Sequence, residues 1–400
     1  MTSKERHEIR YQRRKAKRLQ KKKENEDKLG SYDDIFTFIN LYESFYSCEK
    51  GVRWKCSIQR YESILPLNSI SLYRMMKNRK FKTMGFLEFY ISERGKRRHI
   101  RALKIKERCI QKVLCDKYLI PLLSKQLIYD NGASLKGKGP DFSLRRLRCH
   151  LQRHFKKYGN EGYIFQYDFS SFFDSIDHNI LLKNLKKLIH DKDIYNVIYK
   201  SVKSFGDVGL GLGSQVSQIC AIFYPTLLDK YFKEVLHIKG YGRYMDDGYA
   251  ICRTKEEVNK CKEGLEKMCK LLNLKINKKK MKVTKLSRTF TFLKKRIFMT
   301  DSGKIVMRLG KESIVRARRK VKKLFKMLSN PNGKKIKLHD IKCSCNSWIG
   351  LANRFKNYYT VLNYKELVNR LYNNYLNSIH NYTTHKRRMY SYKSTSFNFY

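Results

Sequence analysis

No stretch of this 400-residue sequence reaches the ~18 consecutive apolar residues that span a bilayer. The longest apolar run, Ile219 to Leu228, is broken by Pro225. The N-terminus, Met-Thr-Ser-Lys-Glu-Arg, lacks the apolar segment of a secretory signal. A cytoplasmic protein with no membrane partner is therefore expected. Among 11 cysteines there is no CxxC pair, and Cys343 and Cys345 are only one residue apart. That spacing argues against a zinc cluster and leaves Cys220 and Cys252 as reduced core residues. There is no internal repeat. Acid is scarce relative to base, with 35 Asp and Glu against 88 Lys and Arg and a formal net charge of +53. So large an excess repels itself unless a polyanion neutralises part of it, and nucleic acid has the matching charge density. An apolar content of 42% is enough for a real core, and the length allows two to three domains of about 150 residues each.

Residues 1 to about 30 are a charged segment, a solvated helix or an arm for phosphate contact. Residues 31–90 read as helical, and a basic stretch from Gly95 turns into an amphipathic helix with Ile105, Cys109, Val113, Leu114 and Tyr118 on one face. A Gly-rich basic loop (131–140) precedes a basic helix to about Lys157. Gly162 to Asp168 is aromatic and β-branched and reads as a strand. Residues 178–205 read as helices. Gly209 to Gln218 is a Gly-rich turn opening an apolar helix over 219–236. Gly240 to Cys252 reads as a hairpin around Met245-Asp246-Asp247, followed by a charged helix over 255–272. Lys282 to Ile297 is expected as a further strand pair, and the pattern after about 310 is helical with a break at Pro331-Asn332-Gly333. Trp348, Ile349, Phe355, Tyr358 and Tyr359 are expected in the core of that helical part. The fold class expected is α+β, with 162–168, 241–252 and 283–297 in one antiparallel sheet.

In so basic a chain, acids within apolar strands are informative. Asp168 ends one strand, and Asp246 and Asp247 sit at a hairpin tip. Adjacent aspartates can be a turn signal and nothing more. A hairpin beside the first strand, however, would bring all three carboxylates within a few ångströms. Like charges about 4 Å apart repel by roughly 4 kcal/mol at an effective dielectric of 20, so such a cluster calls for a cation. Hard oxygen ligands suit Mg²⁺, and two such ions can activate a 3′-hydroxyl and stabilise a leaving pyrophosphate. A basic protein with this trio points to a nucleotidyl transferase.

Tyr244-Met245-Asp246-Asp247 resembles the YxDD box of reverse transcriptases, and other boxes follow in the family's order. Lys96-x-Arg98-x-Ile100 with Glu107-Arg108-x-x-Gln111 resembles the fingers motif of bacterial members. Phe165 to His178 is similar to their first palm motif, and Gly209 to Gln218 to their Gly-rich second one. Asn277 to Lys280 is similar to their Asn-x-x-Lys element, and Phe292-Leu293 to the opening of the primer-grip hairpin.

The resemblance implies a right-hand polymerase: a basic tail (1–30), N-terminal helices and fingers (31–160), a palm (161–300) with a fingers insertion about 180–207, a helical thumb (301–385) and a C-terminal tail (386–400). It implies an RNA-directed DNA polymerase adding dNTPs to a DNA or RNA primer on an RNA template. Two Mg²⁺ ions, replaceable by Mn²⁺, would sit on Asp168, Asp246, Asp247 and the carbonyl of Phe169. Lys280, or its neighbours Lys278 and Lys279, would protonate the pyrophosphate. Lys96, Arg98, Phe173, Leu212 and Gly213 would hold the nucleotide, with Phe173 gating against a 2′-hydroxyl. Tyr244, Phe292, Leu293, Arg318 and Arg319 would meet primer and template.

There are departures from the family pattern. Gly211 stands for a common Pro, Glu107 for a common Asp, and Lys294 for the Gly that usually follows Phe-Leu. Leu212-Gly213 with Ser217-Gln218 resembles the enzymes of diversity-generating retroelements and related unclassified and defence-associated bacterial groups. No endonuclease, integrase, ribonuclease H or zinc-finger domain is evident, which suits a mobile intron or retrovirus poorly. A bacterial or phage retroelement or antiphage system is expected, with a structured non-coding RNA or an accessory protein as further partners. A catalytically silent RNA-binding scaffold and an RNA-templated RNA polymerase are the competing readings. A tail hydroxyl at Tyr390, Tyr392 or Tyr400 is a candidate primer.

Overall fold

A computed structural model describes residues 2–93, 95–330, 336–384, 397 and 399. The tail tyrosines Tyr390, Tyr392 and Tyr400 and the Pro331-Asn332-Gly333 break lie outside the described residues. The chain divides into two compact units. One comprises 1–154 with 162–283, the other 155–161 with 284–400. Among the described residues no helix is long and apolar enough to cross a membrane.

The first unit opens with a 25-residue basic helix, Ser3–Asp27. Short helices follow between Tyr32 and Lys77, and Leu41, Phe45, Leu72 and Met76 bury their apolar faces in the core. Here the structure departs from the sequence pattern. Residues 86–103 form an antiparallel hairpin, β1 (Phe86–Glu93) and β2 (Lys96–Leu103), where helix to about 90 and then a basic stretch turning into an amphipathic helix were expected. Leu87, Phe89, Tyr90 and Ile91 on β1 stay exposed, so the hairpin shows none of the buried alternation by which strands are recognised. The expected amphipathic helix is present as Ile105–Leu114, with Cys109, Val113 and Leu114 buried. It continues through a π-turn, Cys115–Leu119, before Pro121.

The central sheet uses β3 (Tyr163–Tyr167), β4 (Tyr241–Tyr244), β5 (Asp247–Cys252) and β6 (Lys282–Lys285), in the order β4-β5-β3-β6. β5 pairs antiparallel with both β4 and β3. Ile164, Phe165, Tyr167, Tyr241, Tyr249 and Ala250 are buried in it. The helices behind it, Gln215–Phe223 and Lys255–Leu271, supply Ile219, Ile222, Leu265 and Met268 to the same core. The first of these begins four residues earlier than expected and ends before Pro225.

The second unit corrects another expectation. Only β6 of the 282–297 stretch belongs to the central sheet. β7 (Phe290–Phe292), β8 (Lys295–Met299) and β9 (Ile305–Leu309) make a separate antiparallel sheet. Helices Lys311–Leu328, Leu338–Arg354 and Tyr358–Thr384 follow. Ala317, Val321 and Phe325 form a buried stripe against Ile341, Cys345, Ile349, Tyr364 and Val368. Trp348 packs on Tyr364, with ring centroids 4.3 Å apart. Tyr358 and Tyr359, expected in this core, are 70% and 78% exposed; they lie at the start of the last helix, outside its buried stripe.

The β7–β8 turn is Leu293-Lys294. Both residues are left-handed, with φ of 46° and 63°, as a two-residue turn between paired Phe292 and Lys295 requires. Lys294 therefore does with strain what the expected Gly would do freely. Lys294→Gly should stabilise the protein by about 1 kcal/mol and raise its melting temperature; an unchanged or lower melting point would rule out this turn.

Candidate active site

Strand register builds the site. Tyr167 pairs with Gly248 and Tyr244 with Asp247, so Asp168, one residue past the end of β3, lies beside the start of β5. Oxygens of Asp168, Asp246 and Asp247 lie within 4.8 Å of one another. Asp168 is only 4% exposed, and the other two are half-buried. The turn between β4 and β5 is Met245-Asp246, with Met245 left-handed at φ 54°.

The segment after helix Lys255–Leu271 clips over Asp168. Asn277 donates its backbone N–H to the Asp168 carbonyl (2.8 Å), and Ser170 donates to the Lys275 carbonyl (2.7 Å). Phe169 bridges to Ile276, and its ring is buried against Phe172 at 5.4 Å. Asn277 Nδ2 lies 3.3 Å from Asp168 Oδ1, and Lys280 Nζ lies 2.7 Å from Oδ2. Of the three adjacent lysines, Lys280 is the one this turn delivers to the carboxylates.

Burial pushes the Asp247 carboxyl up to about 7, helped by the charges of Asp246 and Asp168 and a hydrogen bond with Asp168. Burial also raises Asp246, as does Asp168, while Lys280 and Arg98 pull it back. Burial opposes the charge of Lys280, but the bond to Asp168 and the surrounding carboxylates outweigh it and raise its pKa. These residues fit a hard divalent cation. They present clustered oxygen ligands whose burial and mutual repulsion disfavour full ionisation without a cation.

The other expected residues of the first unit gather around the Gly-rich loop. The Phe173 carbonyl accepts from Leu210 N–H (2.7 Å), and the Phe173 ring is half-buried, edge-on to Phe172. The Leu212 carbonyl accepts from Arg101 N–H (3.2 Å), which ties the loop to β2. Gly213 has φ 118°, and a Cβ there would stand 3.1 Å from the Arg101 carbonyl, so this approach requires glycine. Arg98 lies on β2, exposed, and its charge is felt at Asp246. The Lys96 side chain lies outside the described residues. Tyr244 is half-buried at the end of β4. Phe292, Leu293, Arg318 and Arg319 belong to the second unit, with Phe292 buried and both arginines exposed on helix Lys311–Leu328.

A family model described as "Reverse transcriptase (RNA-dependent DNA polymerase)" matches residues 82–297, more than half of the chain. The chain belongs to the reverse transcriptase family. It has that family's right-hand polymerase fold, and the family's enzymes are nucleotidyl transferases. A putative COX1/OXI3 intron 1 protein of Saccharomyces cerevisiae is 26% identical over 96 residues, 22% of this chain and 12% of that protein. The telomerase of Candida albicans, solved with the TWJ fragment of telomeric RNA, is similar at TM-score 0.46 and 13% identity over 78% of this chain and 59% of that one. Apo telomerase of Candida tropicalis, truncated from its C-terminal domain, gives 0.44 and 16% over 60% and 59%. The chain thus spans less than two thirds of the length of each of these proteins, and likeness at these scores adds nothing to the assignment.

Sequence reasoning passed over the supports of this reverse transcriptase site. Glu107, noted only as a motif letter, is fully buried. It accepts from Met84 N–H (2.8 Å) and from Gln111 Nε2 (3.3 Å), and burial raises its pKa. Gln111 Oε1 in turn accepts from Ser214 Oγ (2.7 Å), and Ser214 caps helix Gln215–Phe223 through Ser217 N–H. The fingers motif thus buttresses the Gly-rich loop. Asp130 binds Arg146 (2.6 Å) and Lys233 (2.9 Å). Burial favours its neutral form, but His150, Lys233 and Arg146 hold its carboxyl well below the usual range. Asp130, which follows Ile128 and Tyr129, carries the same signal as the strand acids, a carboxylate in apolar surroundings.

The raised Asp247 has a sign that can be checked. A carboxyl whose folded pKa lies above its unfolded value favours folding when protonated, and that stability is lost as pH rises through about 7. In EDTA, the melting temperature should fall between about pH 4 and 7, the unfolded and folded values, by more in the wild type than in Asp247→Asn, and level off above. Equal slopes would remove Asp247 from a repelling cluster.

Proposed function

We propose that this protein is an RNA-directed DNA polymerase that extends the 3′-hydroxyl of a DNA or RNA primer with dNTPs on an RNA template. The observation that carries this reading is the convergence of Asp168, Asp246 and Asp247 within 4.8 Å, in a family of RNA-dependent DNA polymerases. Mg²⁺ fits these ligands, with Mn²⁺ as a substitute. Asp168, Asp246, Asp247 and the Phe169 carbonyl would hold two ions, which when bound activate the 3′-hydroxyl and take up charge on the leaving pyrophosphate.

The chain's own residues do the rest. Lys280, an ammonium held 2.7 Å from Asp168, is the proton donor proposed for the pyrophosphate. Lys96 and Arg98 on β2 are proposed to grip the triphosphate, for which a guanidinium fork is suited. Leu212 and Gly213 let the backbone approach the base and sugar. Phe173 excludes a 2′-hydroxyl by steric overlap and so selects deoxynucleotides. Tyr244, Phe292 and Leu293 would steady the primer end, and Arg318 and Arg319 would track the duplex backbone. In this reading fingers occupy 31–160, the palm 161–300 and the thumb 301–385, flanked by tails at 1–30 and 386–400.

The proposed setting is a bacterial or phage retroelement or antiphage defence system, in the cytoplasm, with a structured RNA or an accessory protein as partner. It rests on Leu212-Gly213 and Ser217-Gln218, which resemble diversity-generating and defence-associated enzymes.

Asp246→Asn should abolish dNTP incorporation on a primed RNA template while leaving RNA affinity intact. Undiminished incorporation would refute the site, and a wild type that binds RNA without incorporating any nucleotide would make it a silent scaffold. Phe173→Val should relax discrimination against ribonucleotides by about 10-fold or more. A wild type that prefers rNTPs would make it an RNA polymerase instead.

A further inference from the structure

Directly before the Tyr244-Met245-Asp246-Asp247 box stands Arg243, among the largest side chains completely removed from solvent. Its partner Asp229, on helix Thr226–Lys230, is equally inaccessible. The two meet as a fork, with Arg243 Nε 2.8 Å from Asp229 Oδ1 and Nη2 2.6 Å from Oδ2. Asp229 Oδ1 also accepts from Tyr241 Oη (2.7 Å), and Tyr241 Oη lies 2.7 Å from Tyr167 Oη. The guanidinium spends its remaining reach on two carbonyls. Nη2 donates to Ile222 (2.9 Å), in the last turn of helix Gln215–Phe223, where carbonyls lack helical donors. Nη1 donates to Met245 (2.8 Å), the left-handed residue of the aspartate turn.

We propose that Arg243 is a positioning residue for the catalytic hairpin: it fixes the Met245 peptide, and through it the carboxylates of Asp246 and Asp247, against two helices. Taking two charges out of water costs several kcal/mol per ion, and apolar replacement of such a pair is often neutral or stabilising. Stability alone therefore gives little reason for a guanidinium here, whereas geometry does. Met245 holds a left-handed backbone conformation that disfavours a non-glycine residue, and the next two side chains repel each other. A turn under both loads needs an external tether to keep one arrangement. The tether must be a planar fork, because a lysine ammonium cannot face a carboxylate side-on and reach two carbonyls beyond it.

The inference rests on Asp246 and Asp247 as metal-holding residues, and the experiment separates the two. Four proteins are compared: wild type, Arg243→Lys, the apolar double variant Arg243→Met with Asp229→Leu, and Asp246→Asn. Each is measured for thermal melting, RNA affinity, Mn²⁺ affinity from the free-ion electron paramagnetic resonance signal, and kcat and KM for dNTP. The double variant should melt cooperatively and bind RNA as the wild type does, with KM unchanged. Its Mn²⁺ affinity and kcat should each fall by about 10–100-fold, as when the supports of a ligand set are removed. Arg243→Lys should show the same losses if it folds. A folded double variant with wild-type Mn²⁺ affinity, or with wild-type kcat, overturns the inference. So does failure of both variants to melt cooperatively, which would make Arg243 an ordinary core residue. If Asp246→Asn leaves Mn²⁺ affinity and incorporation untouched, the underlying site reading fails instead.

Discussion

Repulsion among Asp168, Asp246 and Asp247 is the constraint on which the surrounding structure depends. Three carboxylates with oxygens inside 4.8 Å would move apart if their elements allowed it. At about 4 Å each ionised pair costs on the order of 4 kcal/mol at an effective dielectric of 20. The fold answers with rigidity first. Asp246 sits on a two-residue turn between paired strands, Asp247 opens the second of those strands, and Asp168 is pinned at its backbone carbonyl by Asn277. It answers with charge second, through Lys280 on Asp168 and the field of Arg98 at Asp246. Burial first, and the repulsion that remains second, push the Asp247 carboxyl up to about 7, an environment that a divalent cation would relieve.

The +53 charge of the chain and this acidic knot are complementary features of one design. The bases act at long range, drawing a polyanion to the surface, and their effect is spread and screened by salt. Helix Lys311–Leu328 shows the division of labour in one element. Ala317, Val321 and Phe325 turn inward, while Arg318, Arg319, Lys320, Lys322 and Lys323 face solvent. The acids act at contact range and only because they are sheltered. A carboxylate cluster on the open surface would be neutralised by those same lysines.

How much of this was legible in sequence follows from where each signal is local. The strands around Asp168 and the Asp246-Asp247 turn were readable because aromatic and β-branched residues there are buried on a short period. The three acids stood out against an apolar background. The β1–β2 hairpin was not readable: with Leu87, Phe89 and Tyr90 exposed opposite Ala102, Ile100 and His99, its pairing is set by partners and not by burial pattern. The split of 282–297 between two sheets falls between β6 and β7, in a short connection with no glycine or proline to mark it, and the β7–β8 turn at Leu293-Lys294 likewise lacks the usual glycine. Tyr358 and Tyr359 failed as core residues because aromaticity marks a surface suited to contact as readily as an interior. The structural roles of Asp229 and Glu107 are not legible in sequence because they exist only once separate segments meet, Asp229 with Arg243 and Glu107 with Met84.

The three adjacent lysines at 278–280 show how backbone geometry resolves what composition cannot. Each carries the same charge on the same flexible stem, and nothing in the order Asn-Lys-Lys-Lys ranks them. The ranking comes from a turn. Lys280 N–H donates to the Asn277 carbonyl (3.0 Å), so residues 277 and 280 close one turn and their side chains return to the same side. Asn277 is itself fixed by its own N–H on the Asp168 carbonyl. Its side chain then meets one oxygen of Asp168, and Lys280 three residues on meets the other. Lys278 and Lys279 fall on the arc between and point to solvent. The choice of the ammonium that faces the site is thus made by two main-chain hydrogen bonds, and it would survive exchange of either neighbouring lysine for any residue that tolerates the turn.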